Sequence, residues 1–263
     1  TPARSVEEKF NRIQLTPDIM STDIVGFSMI NPETRQLEYK QGAAMCNFLL
    51  ADEINRASPK SQSSLLEVME EHQISLDGKT YDLPVPFMVL ATQNPVETYG
   101  TYHLPEAQMD RFIMKISMGY PTAGEELEIM ERAENGSDIK NVSAVMSVSD
   151  VEDMIAEAAK TVTAPSIKQY IIDLVTATRS SDYVKLGVSP RGSIALLKAS
   201  KAYAYVEGRS YVVPDDVKAV MSSVLAHRLM LSPKGKSAFA SNEEAMEQIA
   251  MTVSAPVDGG TKA

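Results

Sequence analysis

Two adjacent acids, Asp52 and Glu53, follow the apolar run Phe48-Leu49-Leu50-Ala51. Such a run without polar alternation suits a parallel strand covered on both faces, and open α/β sheets bind ligands at the carboxyl ends of these strands. Two carboxylates there can divide labour: one holds Mg²⁺, directly or through water, and the other orients and deprotonates an attacking water. This is a Walker B arrangement, and the bland alternative is a strand running into a polar turn. A second apolar run, Phe87 to Thr92, likewise suits a parallel strand covered on both faces and ends in Gln93-Asn94-Pro95. The Asn94 amide, at a neighbouring strand end, could bond the same water or a γ-phosphate, although Asn before Pro is also a common turn. Arg111 stands just before the apolar segment Ile113 to Met118, and Arg191 falls in the first turn of a helix opened by Ser189-Pro190. A cation there opposes the helix dipole and asks for an anion, which a phosphate would supply.

These residues need a frame. Arg12 to Leu15, Phe48 to Ala51, Phe87 to Thr92 and Ile113 to Met118 read as strands, separated by helical patterns or long connections. Ser58 and Pro59 read as N-cap and first helical residue, with Leu65, Leu66 and Met69 at helical spacing until Gln73. Ile74 to Tyr81 alternates around Asp77-Gly78, a hairpin signal. After Pro121 every apolar pattern has the helical period. Thr122 with Glu125, Ser149 with Glu152 and Ser241 with Glu244 have capping-box spacing. Ile167, Tyr170, Ile171, Leu174, Val175 and Thr178 mark one amphipathic face, and Val217, Val220, Met221, Val224 and Leu225 another. The helix after Ser189 is expected to turn Ile194 and Leu197 inward.

Composition narrows the classes. The 263 residues carry 25 Lys plus Arg against 35 Asp plus Glu, a net charge of −10, with 44% hydrophobic residues. That is an ordinary globular balance, and the negative charge makes nucleic acid and anionic lipid poor partners. The longest uncharged stretch, Leu83 to Val96, holds prolines and falls short of the ~18 apolar residues of a membrane span, so a soluble chain is expected. One cysteine, Cys46, with no internal disulfide partner, and no leader-like start make the cytoplasm the expected setting. His72, His103 and His227 lack metal-ligand spacing, and Cys46 reads as a small buried hydrophobe. Methionines such as Met154 and Met221 read as packing. The start at Thr1, close to a strand-like run, reads as cut rather than native.

In order, the strings LLADEINRASPKSQSSLLEVMEE, ATQNP, LPEAQMDRF, GVSPRGSIALLKASKAYAYVEGR and VVPDDVKAV resemble the MoxR family of AAA+ ATPases, and more distantly the magnesium-chelatase and MCM ATPases. The resemblance runs from about Phe10 to Val257. It implies an α/β P-loop NTPase core with a parallel sheet and β-hairpin insertions over residues 1–120. An all-α connector and lid would occupy 121–257, with a disordered tail at 258–263.

The resemblance also implies ATP and Mg²⁺ as cofactors. Asp52 would be the Walker B acid on Mg²⁺, Glu53 the catalytic base and Asn94 sensor 1. Arg111 would be the arginine finger that reaches a neighbouring subunit's nucleotide, and Arg191 sensor 2 in the lid. The Asp77-Gly78 hairpin matches the pre-sensor-1 insertion, which faces the pore in related motors. Arg56 and Lys60 read as a solvated loop.

The implied assembly is a homo-oligomer, a hexameric ring with chaperone-like action on a protein client, for which a metal-cofactor protein or a VWA-domain protein is the expected type. The family's phosphate cradle, Gly-x-x-x-x-Gly-Lys followed by Ser or Thr, has no match in the chain. Truncation upstream of Thr1 is the expected reason, which would leave this chain alone inactive and without a central strand. The rival readings are a nucleotide-independent interaction scaffold and an MCM-like DNA motor, the latter disfavoured by the net charge of −10.

Overall fold

The apolar run before Asp52 forms the middle strand of a parallel sheet, and its position follows from its composition. In the computed structural model, which describes residues 9–93, 102, 104–135 and 143–256, strands β1 (Phe10–Gln14), β4 (Phe48–Asp52) and β7 (Met88–Ala91) form one sheet in the order β1-β4-β7. Both pairings are parallel, with Gln14 opposite Asp52 and Ala51 opposite Ala91. Phe48, Leu49 and Ala51 are buried. β7 was expected to be covered on both faces as well, but Met88 and Leu90 are exposed.

Two hairpins decorate this sheet's connections. Helix α1 (Ser21–Val25) leads into β2 (Gly26–Ile30), which pairs with β3 (Leu37–Gln41). Gly26 has φ +93°, and a Cβ on Gly42 would lie 2.4 Å from the Gly26 nitrogen, so the base of this hairpin closes only without side chains. Helix α2 (Pro59–Glu71) opens as its sequence suggests, with the Ser58 hydroxyl accepting the Ser61 N–H at 3.3 Å and Pro59 in the first turn. β5 (Gln73–Leu76) and β6 (Lys79–Asp82) then pair through the Asp77-Gly78 turn, whose residues have φ 51° and 74°. Positive φ at both central residues is the type I′ signature.

The chain divides into two compact units, Thr1–Leu104 with Gly119–Glu152, and Pro105–Met118 with Asp153–Ala263. Beyond the short helix α3 (Glu106–Met109) lie α4 (Ala123–Asn135), α5 (Val148–Lys160), α6 (Pro165–Ser180) and α7 (Pro190–Val206). They are followed by α8 (Pro214–Leu225), α9 (Pro233–Ala238) and α10 (Asn242–Ala250). A two-stranded ribbon, β8 (Val184–Leu186) with β9 (Met230–Leu231), is set among them. The second unit's core is built from the apolar faces of α6, α7 and α8, with Met246 of α10 against them. Every residue expected on the α6 and α8 faces is buried.

Four local expectations need correction. Ile113 to Met118 is not a strand. Its Lys115 N–H bonds the Ser223 carbonyl at 2.9 Å, so its backbone is tied to a helix rather than to a sheet edge, and Ile116 and Met118 are exposed. The box expected at Ser149 and Glu152 closes two residues earlier. Ser147 N–H donates to Asp150 Oδ2 at 2.7 Å and Asp150 N–H to Ser147 Oγ at 3.2 Å, because the shorter acid reaches as well. On α7 the inward face is Ala195, Leu196, Ala199, Ser200 and Ala204, while Ile194 points outward. Small residues there let α7 and α8 approach closely. Met154 is 39% exposed rather than packed, whereas Met221 is buried. No helix among the described residues is long and apolar enough to cross a membrane.

Candidate functional site

At the carboxyl end of β4 the backbone turns sharply: Glu53 adopts φ 57°, ψ 51°, and a single 3₁₀ turn, Ile54–Arg56, follows. In a continuing strand Asp52 and Glu53 would face opposite sides of the sheet. The left-handed residue breaks that alternation, so both acids are served by the ends of the two flanking strands. From β1, Arg12 Nε donates to Asp52 Oδ2 at 2.7 Å and Gln14 Nε2 to Glu53 Oε2 at 2.7 Å. On the other side Thr92, just past β7, donates its hydroxyl to Asp52 Oδ1 at 3.3 Å and accepts the Glu53 N–H at 3.0 Å. Its backbone carbonyl takes the Ile54 N–H at 2.9 Å.

The turn is held from below by α2. Gln62, buried, donates through Nε2 to the Ile54 and Tyr102 carbonyls, both at 3.1 Å. The Tyr102 N–H bonds the Asn55 carbonyl at 2.6 Å. Arg56, expected to be a solvated loop residue, instead places Nη1 3.1 Å from Glu53 Oε2. The acids are partly shielded, with side chains 14% exposed for Asp52 and 25% for Glu53.

Mg²⁺ keeps several waters and takes one or two protein carboxylates together with substrate phosphates. The Asp52–Glu53 pair fits that demand, and Asp52 already draws a cationic group, Arg12, to Oδ2. Among the described residues no three of His, Cys, Asp and Glu cluster to hold an ion unaided. The donor set therefore suits a metal that arrives with phosphates, rather than a resident all-protein site.

Arg111 and Arg191 both lie in the second unit, and both are exposed. Arg191 occupies the first turn of α7, whose N-cap Ser189 accepts the Gly192 N–H at 3.4 Å. Arg111 follows α3, in a turn where its own N–H bonds the Gln108 carbonyl at 3.2 Å. Between the two turns stands Asp110, bonded by Ser189 Oγ at 2.8 Å and by Arg228 Nε at 2.9 Å. Asn94 and His103 lie outside the described residues.

Two titratable groups have environments that mark them as structural. Burial, with Arg228 beside it, pushes His227 down to about 4, so the ring is neutral, its Nε2 lying 3.1 Å from the Phe112 carbonyl. Burial raises the Cys46 thiol above its ordinary value, in keeping with a small hydrophobe and not a nucleophile.

Comparison with known proteins gives the chain's family. Residues 1–114 match the AAA_3 domain, described as ATPase family associated with various cellular activities (AAA), and residues 176–250 match the AAA lid domain. Chaperone MoxR1 of Mycobacterium tuberculosis (strain ATCC 25618 / H37Rv) is 40% identical over 265 residues, which cover 97% of this chain and 70% of that protein. The chain belongs to the MoxR family of AAA+ ATPases.

A second relative by sequence, YeaC of Bacillus subtilis (strain 168), described as uncharacterized, is 46% identical over 255 residues, 97% of this chain and 80% of its own. A crystal structure of a candidate ATPase from Cytophaga hutchinsonii ATCC 33406 superposes with a TM-score of 0.88 at 39% identity, covering 97% of this chain and 80% of that one. The MoxR-family fold, a parallel α/β sheet followed by a helical lid, is thus shared.

Sequence reasoning missed the residues that hold the site together. Arg12 and Gln14 sit at alternate positions of a strand whose parallel register brings Gln14 level with Asp52, and that register was not visible in the sequence. Thr92 was in view beside Asn94, but its double bond to the acid turn was not. Nothing in the sequence marked Arg228.

Proposed function

We propose that the protein is the ATP-hydrolysing subunit of a MoxR-type AAA+ motor, acting as a ring, expected to be hexameric, that remodels or matures a protein client. The observation that carries the reading is the pair Asp52 and Glu53 at the carboxyl end of a parallel strand, bonded from both neighbouring strand ends. Mg²⁺ would be held through Asp52 and would neutralise charge developing on the transferred phosphoryl group. Glu53 would orient a water and take its proton, with Asn94 positioning the same water as sensor 1. Arg111 would stabilise transition-state charge at a neighbouring subunit's nucleotide, and Arg191 would contact phosphate from the lid as sensor 2.

Client remodelling is supported by the chaperone name of a relative at 40% identity. A metal-cofactor or VWA-domain protein is the client type this reading favours, and the cytoplasm its setting. Because the sequence contains no Gly-x-x-x-x-Gly-Lys-Ser/Thr cradle, the 263-residue chain by itself is expected not to turn over ATP. The test is Glu53→Gln in the full-length protein, followed by ATP binding and phosphate release. Binding should persist while turnover falls at least a hundredfold, since the amide keeps the shape and loses the base. Parental turnover in this variant would remove Glu53 from the chemistry.

A further inference from the structure

Arg228 has only 2% of its side chain exposed, yet it is not an isolated ion pair. Each of the five guanidinium N–H groups has an acceptor. Nε donates to Asp110 Oδ1 at 2.9 Å, and Nη2 to the Asp110 carbonyl at 3.2 Å and the Phe112 carbonyl at 2.6 Å. Nη1 donates to the Ile113 carbonyl at 3.4 Å and to the Val224 carbonyl. All but the last of these acceptors flank Arg111.

Asp110 carries the connection onward. Its second oxygen accepts the Ser189 hydroxyl at 2.8 Å, and Ser189 caps the helix whose first turn holds Arg191. The Arg228 stem also presses against that turn, for a Cβ built on Gly192 would lie 3.0 Å from Arg228 Cδ and 2.3 Å from Val188 Cγ1. A continuous path of charge-assisted bonds, Arg228 to Asp110 to Ser189, therefore joins the turn of Arg111 to the turn of Arg191. Burying a guanidinium is costly, and an exposed surface pair would serve stability about as well at less cost.

We propose that Asp110 and Arg228 are positioning residues that hold Arg111 and Arg191 on one frame at a fixed spacing. The inference rests on the reading above that both arginines act on nucleotide. Its specific content is that neither arginine can be misplaced without the other. Removing the Asp110 charge should then do its damage only through the two arginines.

The test is a pair of double-mutant cycles in the full-length protein, read by single-turnover ATP hydrolysis with enzyme in excess. Asp110→Asn leaves one acceptor oxygen, for Arg228, and turns an amide NH₂ toward Ser189, whose hydroxyl must then accept instead of donate; with the charge gone it should slow hydrolysis at least tenfold. Combined with Arg111→Ala, or with Arg191→Ala, it should cost less than it costs the parent, because only the other arginine is left to misplace, and with both arginines replaced it should cost nothing further. Losses that multiply in either cycle would mean that Asp110 acts elsewhere, and a rate within twofold of the parent would mean that it positions nothing. Both results overturn the inference while leaving the arginine assignments standing. Parental rates in Arg111→Ala and Arg191→Ala themselves are the separate signature that those assignments fail, and the inference falls with them. Should Asp110→Asn not fold, Ser189→Gly cuts the same path with a residue tolerated at an N-cap, and the same two cycles apply.

Discussion

The hydroxyl of Thr92 accepts the backbone N–H of Glu53 at 3.0 Å. A residue at the end of one strand thus fixes the turn that ends the next, while the same hydroxyl donates to Asp52. Thr92→Val keeps the shape and deletes both bonds. The N–H of Glu53 would lose its protein partner, for which about 1 kcal/mol of stability is the expected cost. Turnover should fall more than tenfold, because both acids lose a fixed contact. Chemical denaturation alongside phosphate release measures the two losses separately.

Arg111 offers a test by magnitude. An arginine finger is worth ~10³ to 10⁵ in rate, whereas a surface ion pair contributes ~0 to 1 kcal/mol of stability. Inactive Arg111→Ala subunits mixed with inactive Glu53→Gln subunits should recover activity, since some interfaces then combine an intact acid with an intact arginine from the next subunit. No recovery at any mixing ratio, in rings shown by mass to be mixed, would count against action between subunits.

His227 gives the second unit a pH dependence. Its folded value of about 4 lies below the ordinary 6.5, so the unfolded chain binds a proton that the folded one refuses. Stability is therefore full above about pH 6.5 and falls as pH drops toward 4, by about 3 kcal/mol in total. His227→Gln should flatten that part of the profile, leaving the carboxylate contribution below it. Thermal midpoints of the two proteins between pH 4 and 7 make the comparison.

Asp216, 1% exposed, takes both Arg209 Nη atoms and the Val213 N–H at 2.8 Å. Burial alone would raise its carboxyl, but the Arg209 and Val213 bonds outweigh it and hold the group below its ordinary value. Its contribution is present above the unfolded pKa near 3.8 and lost as pH falls through the lower folded value. Asp216→Asn should lower the thermal midpoint clearly at pH 7 and much less near pH 2. An equal drop at both would point to packing instead of charge.

Much of this fold could be read before any coordinates. The α6 and α8 faces were legible because large apolar residues recur at helical spacing, and the β5–β6 hairpin because Asp77-Gly78 admits so few alternatives. Ile194 faces outward because hydrophobicity alone does not secure burial; on α7 the inward positions go to Ala195, Ala199 and Ala204, which carry little hydrophobic signal. Ile113 to Met118 misled because its composition suits a strand, and strand formation depends on a pairing partner that no local pattern encodes. At the site, Asp52 and Glu53 stood out through their place after a buried run. Arg12, Gln14, Thr92 and Arg228 reach their partners across 39 to 118 positions of sequence, a separation that only the folded register closes.

The left-handed backbone at Glu53 sets local comfort against chemistry. Few side chains adopt φ 57° willingly, and glycine does so freely. A glycine there would relieve the turn and would leave Gln14 and Arg56 facing solvent at small cost, yet it would carry no carboxylate. Screening variants for heat resistance alone would then enrich substitutions at position 53 that erase the proposed base, and survivors of such a screen need their turnover measured before they are called improved.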